Sequence, residues 1–123
     1  MKYDSRSFII SQRFDEAWAK LGLDDIDLAQ LQDRLVTDPK AGQVIPGSGG
    51  LRKVRINLPD KKKGKRGGAR VIYVDFAIFE TIYLFYVYGK NEIEDITESD
   101  KREYKELIAI LEKSFENKYG RKL

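Results

Sequence analysis

The sequence predicts an α+β fold in which a small sheet packs against helices, in the order β-α-α-β-β-β-α. Three observations carry this. Apolar residues recur at helical spacing in three segments, two early and one at the C-terminal end. The runs Ala69–Phe76 and Ile82–Tyr88 are β-branched and aromatic, as central strands are. Leu51–Leu58 alternates its two faces with a period of two. The chain has 123 residues, a length that fits one domain spanning 1–123 and one modest core, with the helices expected against one face of the sheet.

Each element has its own signal. Ser7-Phe8-Ile9-Ile10 is short and apolar and reads as an opening strand. A helix follows from about Gln12 to Leu21, with Phe14, Trp18 and Leu21 at i, i+4 and i+7 on one face, and Gly22 ends it. A second helix runs from about Asp25 to Thr37, with Leu28, Leu31 and Leu35 as its core stripe. Asp24 or Asp25 caps it and Asp38-Pro39 limits it. These two helices read as an antiparallel pair. A loop containing Pro46-Gly47-Ser48-Gly49-Gly50 leads into the alternating strand. There Arg52, Val54, Ile56 and Leu58 share one face, and Leu51, Lys53, Arg55 and Asn57 the other. The link Ala77-Ile78-Phe79-Glu80 lacks Gly, Pro and Asn, which is poor turn chemistry. Its apolar Ile78-Phe79 tip is read two ways, as a contact for a partner or as packing on a neighbouring helix. The last helix spans about Glu98 to Tyr119. Thr97 and Asp100 form its capping box, and Gly120 is its stop.

Charge is distributed unevenly. Residues 52–70 hold nine Lys/Arg against one acid, a net +8, whereas the segments before and after sum to −2 and −3 and the chain to +3. Cations this dense repel one another, and a polyanion is the natural reason to keep them together. Lysines in a loop often do no more than solvate it, which is an equal reading for Lys61, Lys62 and Lys63. That reading suits Lys53, Arg55 and Arg70 less well, because they fall within strand patterns. With Arg55 and Arg70 on one sheet face, Lys65 above and Lys90 at a strand end, the result is a phosphate-sized positive basin.

The chain contains neither Cys nor His. Disulfides, thiolate metal sites, the usual zinc chemistry and His acid–base catalysis are excluded. Carboxylates remain able to hold Mg²⁺, but Glu92, Glu94 and Asp95 read as a solvated loop, and no metal or other cofactor is expected. No segment has the roughly 18 apolar residues of a membrane span, and the first residues lack the apolar core of a signal peptide, so a cytoplasmic location is expected. RNA cleavage needs no metal when the neighbouring 2′-hydroxyl attacks phosphorus. A Lys among cations is a candidate base, Arg a candidate stabiliser of phosphoryl charge, and Tyr or Lys a candidate acid. Composition fits plain RNA binding equally well. Tyrosines alternating along strands more often belong to a core or its rim; among Tyr73, Tyr83, Tyr86 and Tyr88, only the last is taken as a candidate for base stacking, since it precedes Gly89-Lys90.

Three pieces, in order and correctly spaced, resemble the RelE/HigB superfamily of type II toxin–antitoxin ribonucleases, and most closely its HigB-like branch. They are Gly49-Gly50-Leu51-Arg52-Lys53-Val54-Arg55, Gly64-Lys65-Arg66-Gly67-Gly68-Ala69-Arg70-Val71-Ile72-Tyr73, and Tyr83-Leu84 leading to Tyr88-Gly89-Lys90-Asn91-Glu92. The resemblance implies a RelE-like microbial ribonuclease fold and a toxin that enters the ribosomal A site and cleaves mRNA there without a metal. It also implies a cognate antitoxin, expected to be a helix-turn-helix DNA-binding protein. By motif position it implies catalytic roles for Lys53, Arg55, Arg70 and Lys90, with Lys61, Lys62, Lys63, Lys65, Arg66 and Tyr88 on the RNA. The sequence departs from the pattern at Asn91, where some relatives carry Arg. It also departs at the C-terminal catalytic Tyr, because Tyr104 and Tyr119 fall within the last helix. The competing function is a non-catalytic basic module of the same fold that binds RNA or an antitoxin.

Overall fold

The computed structural model of the chain describes residues 5–57, 68–89 and 96–120. Its elements are β1 (Ser7–Ile10), α1 (Gln12–Lys20), α2 (Asp25–Thr37), β2 (Gln43–Val44), β3 (Arg52–Ile56), β4 (Ala69–Phe76), β5 (Thr81–Gly89) and α3 (Glu98–Tyr119). The five strands form one sheet in the order β1-β5-β4-β3-β2, antiparallel except for the parallel pair β1–β5. This is the predicted α+β class with one short strand added. Gln43 and Val44, expected in a loop, pair with Lys53 and Arg52.

The helices cover both faces of the sheet, not one as expected. Phe14 and Trp18 of α1 and Leu31 and Leu35 of α2 pack with Val54, Val71, Tyr73, Ile82, Leu84 and Val87. On the opposite face, Ile108 and Phe115 of α3 pack with Leu51, Ile72, Val74, Phe76, Phe85 and Tyr88. The reason lies in the strands. Val71, Ile72, Tyr73 and Val74 of β4 are all buried, so both faces are apolar and each needs a cover.

A β-bulge sets which side chains reach which face. Ile72 pairs with Tyr86 but Tyr73 with Leu84, leaving Phe85 as the extra residue of β5. Phe85 and Tyr86 therefore both lie on the α3 side, while Leu84 and Val87 lie on the α1/α2 side.

Caps match the sequence signals. Asp24 with Asp27 and Thr97 with Asp100 both form capping boxes, and Gly120 closes α3 in the left-handed conformation. Arg6 pairs with Asp75 of β4 at 2.9 Å, both side chains being nearly buried. The Ala77–Phe79 link is a single 3₁₀ turn that ends on Glu80 with φ +50°. Its tip divides the two readings: Phe79 is buried against Phe115 and Tyr119 of α3, whereas Ile78 remains 44% exposed.

Tyr73 joins the sheet to the chain segment that follows α2. Its hydroxyl donates to the Pro39 carbonyl at 2.8 Å and accepts from the Gly42 N–H at 2.9 Å. Tyr73→Phe leaves both backbone groups without that partner and is expected to lower stability by about 1–3 kcal/mol, measured by denaturant unfolding. Burial pushes the Tyr73 hydroxyl above its ordinary value of 10.0, against the Gly42 hydrogen bond and Arg52, which lower it. The neutral form is thus favoured in the folded state. The stability it contributes is fully present below about pH 10 and falls as pH rises through the folded-state value. Tyr73→Phe should flatten that alkaline decline.

Candidate nucleic-acid interface

The site forms where β4 begins and β5 ends, on the face that carries α3. In the β3–β4 register Arg55 stands opposite Arg70, and Lys53 opposite Ile72. In the β4–β5 register Arg70 stands opposite Tyr88, and Ile72 opposite Tyr86. Directly opposed residues of an antiparallel pair share a face with Cβ atoms roughly 5 Å apart, so like charges there destabilise the sheet. Lys53, Arg55 and Arg70 gather on one face against that cost, with Tyr88 beside them. Lys53 and Arg55 are exposed, Arg70 is half-buried, and Tyr88 is 8% exposed. The Arg55 carbonyl accepts a 2.7 Å hydrogen bond from Nη1 of Arg34 on α2, which anchors the backbone of β3 at that residue.

Arg70 carries the clearest mark of an anion site. Its Nη1 is buried and has no hydrogen-bond partner among the described residues. Leaving a charged donor unsatisfied in this way costs on the order of 1–3 kcal/mol unless a ligand answers it. On α3, Phe115 packs on Phe76 and Phe79 at the other end of β4 from Arg70, and Tyr104 packs edge-on against Phe85.

Beside the basin lies a pocket of about 240 Å³. Ile72, Tyr86 and Tyr88 form its sheet wall, Tyr104 and Leu107 of α3 with Ile96 form the opposite wall, and Arg13, Asp100 and Glu103 supply its charge. Arg13 was not among the residues the sequence singled out. Its guanidinium lies 4.0 Å from the centroid of the Tyr86 ring. It is placed there by Ser11, which caps α1 by accepting from the Phe14 N–H and donates to the Phe85 carbonyl at 2.8 Å. No local pattern reports a hydrogen bond between residues 74 positions apart. Tyr104, Asp100 and Glu103 were read only as parts of a helix, and only their position against β5 makes them part of the site.

The structure thus brings together Lys53, Arg55, Arg70 and Tyr88 of the predicted set. Lys61, Lys62, Lys63, Lys65, Arg66 and Lys90 lie outside the described residues. Among the described residues no group of three or more side chains of metal-ligating type comes together, and no helix is long and apolar enough to cross a membrane.

No family model matches the sequence. The fold is similar to that of the toxin RelE from E. coli. A double Arg-to-Ala variant of that toxin in the free state superimposes with a TM-score of 0.51 at 16% identity, covering 88% of this chain and 98% of that one. The isolated E. coli RelE toxin in a P21 crystal form gives a TM-score of 0.45 at 20% identity, covering 87% and 99%. The class defined here is therefore an α+β protein of RelE-like fold with a cluster of cations on one sheet face.

Proposed function

We propose that this protein is the toxin of a type II toxin–antitoxin system, of the HigB-like branch, and a ribosome-dependent mRNA endoribonuclease that blocks translation in the cytoplasm. The observation that carries the reading is the buried, unpartnered Nη1 of Arg70 beside the opposed Arg55. A phosphodiester supplies the acceptor that Arg70 lacks, and the charge developing on its oxygens in the transition state is what a fixed guanidinium stabilises most. The likeness to RelE supports the fold on which this reading rests.

In the proposed reaction the 2′-hydroxyl of one nucleotide attacks the adjacent phosphorus, its proton passing to a base, and the 5′-oxygen leaves with a proton from an acid. The products are a 2′,3′-cyclic phosphate and a 5′-hydroxyl. The step needs no metal. Arg70 and Arg55 hold the phosphoryl oxygens. Lys53 and Lys90 add to the positive charge of the site and are the candidates for proton transfer. Lys61, Lys62, Lys63, Lys65 and Arg66 bind RNA through its phosphates, and Tyr88 contributes a ring. The antitoxin neutralises the toxin by presenting Asp/Glu side chains to the same cations.

Cleavage mapping on translating mRNA with the purified protein tests the proposal. The expected result is cuts within ribosome-bound codons that carry 5′-hydroxyl ends, and none on the same mRNA without ribosomes. RNA binding without any cut would instead support the non-catalytic module.

A further inference from the structure

The reaction above uses the cationic basin and leaves the adjoining pocket without a role. Its charges are not arranged as a structural ion-pair network. The Arg13 side chain stacks on Tyr86 and makes no hydrogen bond or ion pair among the described residues, and neither does the Glu103 side chain. Asp100 gives one carboxylate oxygen to the Thr97 N–H in its capping box. A cation and a carboxylate therefore line one pocket without meeting, between walls of aromatic rings.

We infer that this pocket receives one base of the RNA strand whose phosphate is held at Arg70, and that Glu103 makes it select bases bearing an exocyclic amino group over uracil. The inference rests on reading the basin as an RNA site. Four properties carry it. The first is size: about 240 Å³ lies below the roughly 300–1,000 Å³ of sites for drug-sized ligands, and suits one small planar ring system. The second is shape. Tyr86 and Tyr88 lie with centroids 6.3 Å apart at 26°, and Arg13 continues the stack, giving the flat surfaces on which exposed bases of single-stranded RNA are held.

The third is position. Tyr88 and Tyr86 are the register partners of Arg70 and Ile72, so pocket and phosphate site are two residues apart on one face, about 6.5 Å by strand rise. That is within the reach of a base from its own phosphate. The fourth is hydrogen-bonding chemistry. An ionised carboxylate only accepts, so a base that displaces water from Glu103 must present a donor to it. Cytosine N4, adenine N6 and guanine N2 supply them. Uracil has carbonyls on both sides of its single N–H, and a carbonyl set against a carboxylate is repelled. A basic side chain from a protein would also satisfy Glu103, but Arg13, Arg55 and Arg70 repel it.

The test uses trinucleotides of 2′-O-methyl RNA, which cannot undergo 2′-hydroxyl attack, differing only in the central base. Each is titrated into the purified full-length protein and followed by the NMR signals of the tyrosine rings. Trinucleotides with central C, A or G should bind at least about fivefold more tightly than those with U, the low end of the range for specific base contacts. Glu103→Gln, whose amide both donates and accepts, should bring U to within about twofold of C. Equal affinity for C and U in the wild type overturns the inference. So does a gap that Glu103→Gln leaves intact, or the absence of binding by any trinucleotide at millimolar concentration. No ribosome and no cleavage enter the measurement. Base preference in a protein that cuts nothing would reject the nuclease reading alone, and cutting without base preference would reject the pocket alone.

Discussion

Arg70→Ala should slow cleavage of ribosome-bound mRNA by roughly 30- to 1,000-fold, the rate equivalent of losing about 2–4 kcal/mol of transition-state stabilisation. The loss should appear in the single-turnover rate at saturating ribosome more than in ribosome affinity, because a fixed guanidinium gains most as charge develops on the phosphoryl oxygens. The fold should survive. Arg70 Nη1 has no partner among the described residues to orphan, and removing the charge relieves its repulsion from Arg55 across the β3–β4 pair. Thermal unfolding should therefore show a midpoint at or above that of the wild type. Arg70→Lys should recover only part of the rate, since an ammonium restores charge without the two-pronged donor geometry. Wild-type cleavage by Arg70→Ala would remove Arg70 from the mechanism.

The sequence made the basic site legible because strand parity is a strong rule. Lys53 and Arg55 were placed on the face opposite Val54, and the register confirms that Val54 enters the α1/α2 core while Arg55 meets Arg70. Tyr73 stands three residues along the same strand from Arg70, so the same rule puts it on the other face, where it is buried. Capping chemistry is equally informative: Asp24 or Asp25 with Asp38-Pro39 bounds the helix Asp25–Thr37, where the structure selects Asp24 as the cap, and Thr97 with Gly120 bounds Glu98–Tyr119.

What escaped was what depends on contacts distant in sequence. The bulge at Phe85 changes parity within β5, and two aromatic neighbours carry no sign of which one is extra. The placement of α3 on the opposite face from α1 and α2 also escaped, because amphipathicity says that a helix needs cover, not which side of the sheet supplies it. Arg13 is the consequence with functional weight. It reaches Tyr86 because Ser11 ties the start of α1 to β5 and because the bulge turns Tyr86 toward α3.

The basin also depends on a residue with no side chain. Gly68 precedes β4 with φ +79°, and a Cβ built there would lie 1.9 Å from the carbonyl oxygen of Ile56 and 3.0 Å from its carbon. Those atoms are backbone at the end of β3, so no rotamer change relieves the clash. The strands must separate where Ile56 pairs with Ala69, one residue pair from Arg55 and Arg70. Gly68→Ala should cost about 2–4 kcal/mol, combining left-handed backbone strain of about 1–3 with at least one displaced ladder hydrogen bond of about 1. It should also reduce cleavage, because the opposed arginines shift with the strand ends. Gly50 supplies the control: its φ is +114° but nothing lies within 4 Å of a built Cβ, so Gly50→Ala measures backbone strain with no clash. Denaturant unfolding of both variants separates the two effects. If Gly68→Ala loses no more stability than Gly50→Ala, the close approach of Gly68 to Ile56 does not hold β3 and β4 in register, and the alignment of Arg55 with Arg70 has another cause.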